Sequence, residues 1–260
     1  MRLIAFFAFA FSAGIFLVSC KDTSTNAGIP GSMVGYVVPY DSTNTNIDNS
    51  GVKVSVDGTN YSTLSDNKGR WKLDNVVPGT YNISFTKDGY ATEKIIAYRF
   101  VGNGTDYLFS QNIYQRSRMN ASLVTRPFDS ATTLFTCKIF RNDTSESLQG
   151  LTLLLFGKDS ALLPLDPSSY LYSLDNYGVT FDNGRGYDIL IHRSSLITFG
   201  FNSGDRVYCV AYASNINVWH WDSEKQQAIL VPSYLDIATG KTVYTAFGNN
   251  HSEVRSFILP

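Results

Sequence analysis

With 260 residues, 43% of them hydrophobic and only 17% charged, the chain has enough apolar material for a packed core in one or two domains. Its formal net charge of -1 creates no field that would draw nucleic acid. Its three cysteines and three histidines contain no Cys-x-x-Cys or His-x-x-x-His pair, so no zinc pattern is present and no metal or cofactor is expected. Sixteen Tyr, 17 Phe and 20 Gly, with no long stretch of helical periodicity, favour strands and turns.

The chain opens with Arg2 followed by an apolar stretch from Leu3 to Val18. This is shorter than the ~20 apolar residues of a membrane-spanning helix and fits a cleavable signal with a small residue at the cut. The closing tetrapeptide, Leu17-Val18-Ser19-Cys20, resembles the bacterial lipobox. That resemblance implies removal of residues 1–19, attachment of diacylglycerol to the Cys20 thiol and acylation of the new amine. Two or more acyl chains would then anchor the protein firmly in a membrane, expected to be the outer membrane. Lys21-Asp22 resembles in part the surface-export signal of Bacteroidetes lipoproteins. Residues 20–31 are rich in small polar side chains and read as a lipidated tether.

Residues 32–116 alternate with period two and are interrupted by turn dipeptides. Val34, Tyr36 and Val38 are expected to share one strand face, as are Val52, Val54 and Val56, then Trp71 and Leu73, then Tyr81, Ile83 and Phe85. Asp57-Gly58, Asp66 to Gly69, Pro78-Gly79 and Asp88-Gly89 punctuate the runs. The order of these pieces, from Gly35-Tyr-Val through Gly51-Val-Lys-Val-Ser-Val-Asp-Gly, Asp66-Asn-Lys-Gly-Arg-Trp and Val77-Pro-Gly-Thr-Tyr to Lys87-Asp-Gly-Tyr, resembles the carboxypeptidase regulatory-like domain. That resemblance implies a transthyretin-like β-sandwich that serves as a module and carries out no reaction.

Residues 117–260 are again patterned as strands: Phe135, Cys137 and Ile139; the apolar run Leu151 to Phe156; Tyr187, Ile189 and Ile191; Val207, Cys209 and Ala211; and Val254, Ser256 and Ile258. The segment from Gly204 to Asn215 is similar to a late strand of a fibronectin type III or immunoglobulin-like domain. The region exceeds the ~100 residues of such a sandwich, which predicts an insertion within 157–186. The resemblance implies an inter-sheet pairing of Cys137 with Cys209; two buried free thiols are the alternative. The predicted architecture is all-β, with two β-sandwich domains in tandem after the signal peptide.

No motif for catalysis emerges. Asp205, Asp222 and Asp236 read as turn aspartates, Asp175-Asn176 and Asp182-Asn183-Gly184 as turn chemistry rather than calcium ligands, and no Gly-x-Ser-x-Gly elbow exists for His192, His220 or His251 to serve. In the string Val218-Trp-His-Trp-Asp222, Trp219 and Trp221 fall on one strand face, either filling the core or stacking on sugar rings or a protein, with Tyr234 as a companion. Asp41-Ser42-Thr43, Asp129-Ser130-Ala131 and Asp159-Ser160-Ala161 resemble the Bacteroidetes O-glycosylation motif at Ser42, Ser130 and Ser160. The expected function is a non-catalytic envelope lipoprotein that binds or organises a partner: the membrane through Cys20, and a glycan or an envelope protein. A glycan-binding accessory protein using Trp219 and Trp221, an adhesin or pilus-like subunit, and an enzyme with an unrecognised site are the alternatives.

Overall fold

The computed structural model describes residues 28–41, 45–116, 121–126, 134–141, 151–177, 186–214, 218–222, 227–231 and 233–260; for the strands at 134–141, 218–222 and 227–231 it describes the backbone alone. The first eight strands are β1 (Gly31–Tyr40), β2 (Lys53–Val56), β3 (Ser62–Leu64), β4 (Arg70–Val76), β5 (Gly79–Thr86), β6 (Glu93–Phe100), β7 (Thr105–Tyr107) and β8 (Gln111–Tyr114). One sheet runs β3-β2-β5-β6. In the other, β1 has antiparallel β4 on one side and, on its opposite edge, β7 and then β8, both parallel to it. Between the two sheets lies a core that includes Met33, Val37, Val54, Trp71, Leu73, Ile83 and Phe85. Trp71 meets Phe85 edge-on, with ring centroids 5.8 Å apart.

The period-two pattern finds the strands and, in most of them, the buried face. Val52, Val54 and Val56 are all buried, as are Trp71 and Leu73. In β1 the parity is reversed: Met33, Gly35, Val37 and Pro39 face inward, whereas Tyr36 is exposed. The cause is Trp71. Gly35 is its register partner, and a Cβ on Gly35 would lie 2.7 Å from Cζ2 of the indole. The inward position opposite the ring must therefore be a glycine, and the larger Val34, Tyr36 and Val38 take the other face. The turn before β4 also depends on glycine: Gly69 has φ +79, and a Cβ there would sit 2.3 Å from the Val37 carbonyl oxygen.

The remaining elements are β9 (Ala121–Arg126), β10 (Leu134–Arg141), β11 (Leu151–Gly157), β12 (Tyr172–Tyr177), β13 (Gly186–His192), α1 (Arg193–Thr198), β14 (Arg206–Ser214), β15 (Val218–Asp222), β16 (Gln227–Val231), β17 (Ser233–Asp236), β18 (Lys241–Tyr244) and β19 (Arg255–Ile258). They form a three-stranded sheet, β13-β10-β9, a four-stranded sheet, β12-β11-β14-β19, and two hairpins, β15-β16 and β17-β18. Two hairpins intervene between β14 and β19, and residues 158–171, within the span where the sequence predicts an insertion, connect β11 to β12. Asp175 and Asn176 belong to β12 and form no turn. At the C-terminal end Phe257 packs against the core and Ile258 is exposed, the reverse of the expected face.

The run in β11 is apolar throughout because both its faces are covered. Leu154 and Phe156 join Cys209, Ala211 and Ala213 of β14, with Leu123, Ile189 and Ile191 of the facing sheet. Leu153 and Leu155 join Val210 and Tyr212 in a second cluster with Tyr244 and Phe247, and this cluster also takes in Tyr114 and Tyr40 of the first sandwich. Tyr40 and Tyr114 stack at 5.4 Å. Across the same junction the Thr245 hydroxyl donates to the Thr92 carbonyl at 2.8 Å. Cys209 is a free thiol buried in the sandwich core, as free Cys often is; the side chain of Cys137 lies outside the described residues.

Candidate binding groove

The reversed parity of β1 places aromatic side chains on the outer face of the β4-β1-β7 sheet. Tyr36 sits opposite Arg70 of β4, and Tyr107 of β7 sits beside Val34. A groove of about 500 Å³ runs over this face, lined by Tyr36, Leu64, Arg70, Trp71, Lys72 and Tyr107 among others. Tyr36 is 51% exposed and Tyr107 79% exposed. Phe109, two residues beyond Tyr107, is 91% exposed, while Leu108 between them turns inward. Large apolar groups exposed together are uncommon on a soluble surface and mark contact sites.

The charged groups of the groove are neutralised in place. Asp66 accepts from Nε of Arg70 at 2.8 Å and from the backbone N–H groups of Lys68 and Arg70. Those bonds, the Arg70 backbone N–H foremost, hold its carboxyl below the usual carboxylate range. Lys72 pairs with Asp74 at 2.8 Å, and Asp74 also accepts from the Ser32 hydroxyl at 2.6 Å. The Arg70 guanidinium is thus held in one orientation with donors to spare. The Nε1–H of Trp71, at the wall of the groove, has no partner among the described residues. Exposed rings beside a fixed, charge-compensated donor set suit a flat ligand rich in hydroxyl groups and without net charge.

The residues expected from sequence are dispersed. Cys20, Ser42 and Ser130 lie outside the described residues. Ser160 is exposed, in a turn where Asp159 accepts from the Ala161 N–H at 3.1 Å. Trp219 and Trp221 alternate along β15, in register with Leu230 and Ala228 of β16; their side chains lie outside the described residues. Tyr234 is on a different hairpin, half-buried, with Nζ of Lys94 at 4.9 Å over its ring, so it serves the contact between the two sandwiches. Asp205 and Asp236 cap turns, accepting from the N–H groups of Asn202 and Thr239 at 2.8 and 2.9 Å. His251 packs against Tyr212 at 5.4 Å. No group of three or more metal-ligating side chains comes together among the described residues. Sequence reasoning missed Tyr36, Arg70 and Tyr107. The available signal was the alternation Tyr107-Leu108-Phe109 and the glycine at 35, which together turn the aromatics outward.

Residues 32–106 match the carboxypeptidase regulatory-like domain. That assigns the first sandwich, and no more of the chain, to this kind of module. No curated protein matches the chain. Among solved structures, it is similar to a chain of a type II cohesin–X-dockerin complex from Acetivibrio cellulolyticus, with 24% identity and TM-score 0.29, over 34% of this chain and 59% of that one. The chain thus spans less than two thirds of that relative. It is also similar to a Bacteroides uniformis protein provisionally described as carbohydrate binding, with 13% identity and TM-score 0.30, over 89% of this chain and 100% of that one. A DUF3823 family protein from Bacteroides ovatus has 10% identity and TM-score 0.31, over 88% and 100%. Similarity at this level carries no function across.

Proposed function

We propose that this protein is a non-catalytic binding lipoprotein of the cell envelope, anchored through Cys20, which holds a neutral glycan on the outer face of its first sandwich. The observation that carries the reading is the Tyr36–Tyr107 face. Two exposed rings lie on one sheet surface, beside an arginine fixed by Asp66 and a lysine compensated by Asp74. A sugar ring presents an apolar face to an aromatic side chain and hydroxyl groups at its edge to a guanidinium. An anionic ligand would call for uncompensated cations, and here both are already paired. The lipobox-like Leu17-Val18-Ser19-Cys20 supports attachment to a membrane.

The second sandwich supports a scaffold role. If β9, β10, β11, β12, β13, β14 and β19 are lettered A, B, C, C′, E, F and G, its sheets read A-B-E and C′-C-F-G. That order supports reading the second sandwich as a fibronectin type III-like unit, a common spacer on cell surfaces.

The test is titration calorimetry of the mature chain against cellohexaose, xylohexaose, mannohexaose and maltohexaose, with Tyr36→Ala and Tyr107→Ala beside the wild type. At least one oligosaccharide is expected to bind, and each substitution should weaken it about tenfold, equivalent to ~1.4 kcal/mol. Binding that is unchanged in both variants would remove the groove from the account. For the anchor, Cys20→Ser is expected to shift the protein from the membrane to the soluble fraction.

A further inference from the structure

The end of the first sandwich where the chain enters carries no charge. Three segments converge there: 28–31 ahead of β1, 76–79 between β4 and β5, and 100–105 between β6 and β7. None contains Asp, Glu, Lys or Arg. Their convergence is close. The Asn103 N–H donates to the Ile29 carbonyl at 2.9 Å. A Cβ added at Gly28 or at Gly102 would lie 2.6 Å from Cγ of Pro78. From this tip Ile29, Val77 and Val101 project, exposed by 66%, 40% and 68%. The nearest acids are paired: Asp74 is held by Lys72 and Ser32, and Asp106 accepts from the Tyr98 hydroxyl at 2.6 Å. Arg99 is exposed one residue before Phe100.

We infer that this tip is a second membrane contact, in which Ile29, Val77 and Val101 seat shallowly in the lipid interface beside the acyl anchor. The inference rests on the lipid anchor at Cys20 proposed above, and it adds a protein surface that touches the bilayer. The occupant follows from where the chain goes. From Cys20 to Gly28 it reaches at most about 29 Å when fully extended, and it joins the fold at the tip itself. The other end of β1 is covered, because Tyr40 and Tyr114 are built into the junction with the second sandwich. An apolar, uncharged tip at the tethered end, with an exposed arginine just behind it at headgroup depth, has the chemistry of an interfacial contact. A bound tip would fix the tilt of the first sandwich and turn the second away from the bilayer.

The experiment uses the mature chain purified from membranes, with acylation of Cys20 established by intact mass. The protein is reconstituted in phosphatidylethanolamine–phosphatidylglycerol vesicles, with and without lipids brominated high on the acyl chain. Val101→Trp places a reporter at the tip, and Thr59→Trp, in the exposed β2–β3 turn, is the control; both are read against the three native tryptophans. A seated tip predicts that brominated lipid quenches at least half of the emission added by Val101→Trp and little of that added by Thr59→Trp. If Cys20 is acylated and neither added tryptophan is quenched, the tip contact is overturned and the anchor stands. If Cys20 carries no acyl chain, the anchor fails and the inference with it. Matching thermal melts of the two variants and the wild type ensure that the quenching reports position and not unfolding.

Discussion

At Gly35 a single hydrogen atom decides which face of β1 turns outward. Any side chain there collides with the Trp71 indole, which is fixed by Phe85 and cannot retreat. Gly35→Ala is expected to cost ~1–3 kcal/mol in a urea melt through overpacking, whereas Gly89→Ala, at φ +80 but with no atom within 4 Å of the added Cβ, should cost less. Equal losses would mean that the indole yields. Glu93 offers a second test. Its Oε2 is buried without a partner among the described residues, and burial pushes its pKa up to about 8, from an ordinary 4.5. Between those two values the folded protein keeps a proton that the unfolded chain has released, so stability falls as pH rises through this window. The wild type is therefore expected to melt lower at pH 9 than at pH 5, with Glu93→Gln flattening the profile and melting higher than the wild type at pH 9. Parallel profiles for the two proteins would show that Glu93 is solvated.

Among the elements, β11 makes the clearest demand. Leu154 faces the sandwich core and Leu153 faces the junction. Each truncation to Ala should cost ~2–5 kcal/mol, but with different consequences. Leu154→Ala should lower the melting of the second sandwich alone, while Leu153→Ala should also loosen the junction, seen as faster hydrogen exchange around Tyr114 and Thr245. Similar exchange maps for the two variants would contradict the two-sided role of this strand. The continuous apolar run Leu151 to Phe156 was legible in sequence because burial on both faces removes the polar alternation. The turns at Asp57-Gly58, Asp66 to Gly69 and Asp88-Gly89 were legible too, since a positive φ leaves glycine behind. The facing of β1 was not. Val34, Tyr36 and Val38 outrank Met33, Gly35 and Val37 in bulk, and only the indole of a distant strand reverses the choice. The groove was hidden for the same reason: Tyr36, Arg70 and Tyr107 come from three separate strands, and each alone looks like an ordinary strand residue. The hairpins between β14 and β19 carry the same short alternations as sandwich strands, so nothing local marks them as additions.

Over the whole molecule, the chain enters the first sandwich at an uncharged tip and leaves it at an apolar junction. The ten residues of β1 separate the two ends by about 33 Å. The groove lies on the flank between them, open to solvent, while the second sandwich extends from the far end. With the anchor and groove proposed above, this arrangement would hold a ligand near a membrane without burying the site in it. The central claim is that this flank, and not the β15–β16 hairpin bearing Trp219 and Trp221, meets the ligand. It is tested most directly by amide chemical-shift mapping of the mature chain titrated with whichever of the four hexasaccharides binds. The account predicts shifts concentrated at Val34–Val37, Arg70–Leu73 and Thr105–Phe109. Shifts confined to 218–231, or none with any of the four, would contradict it.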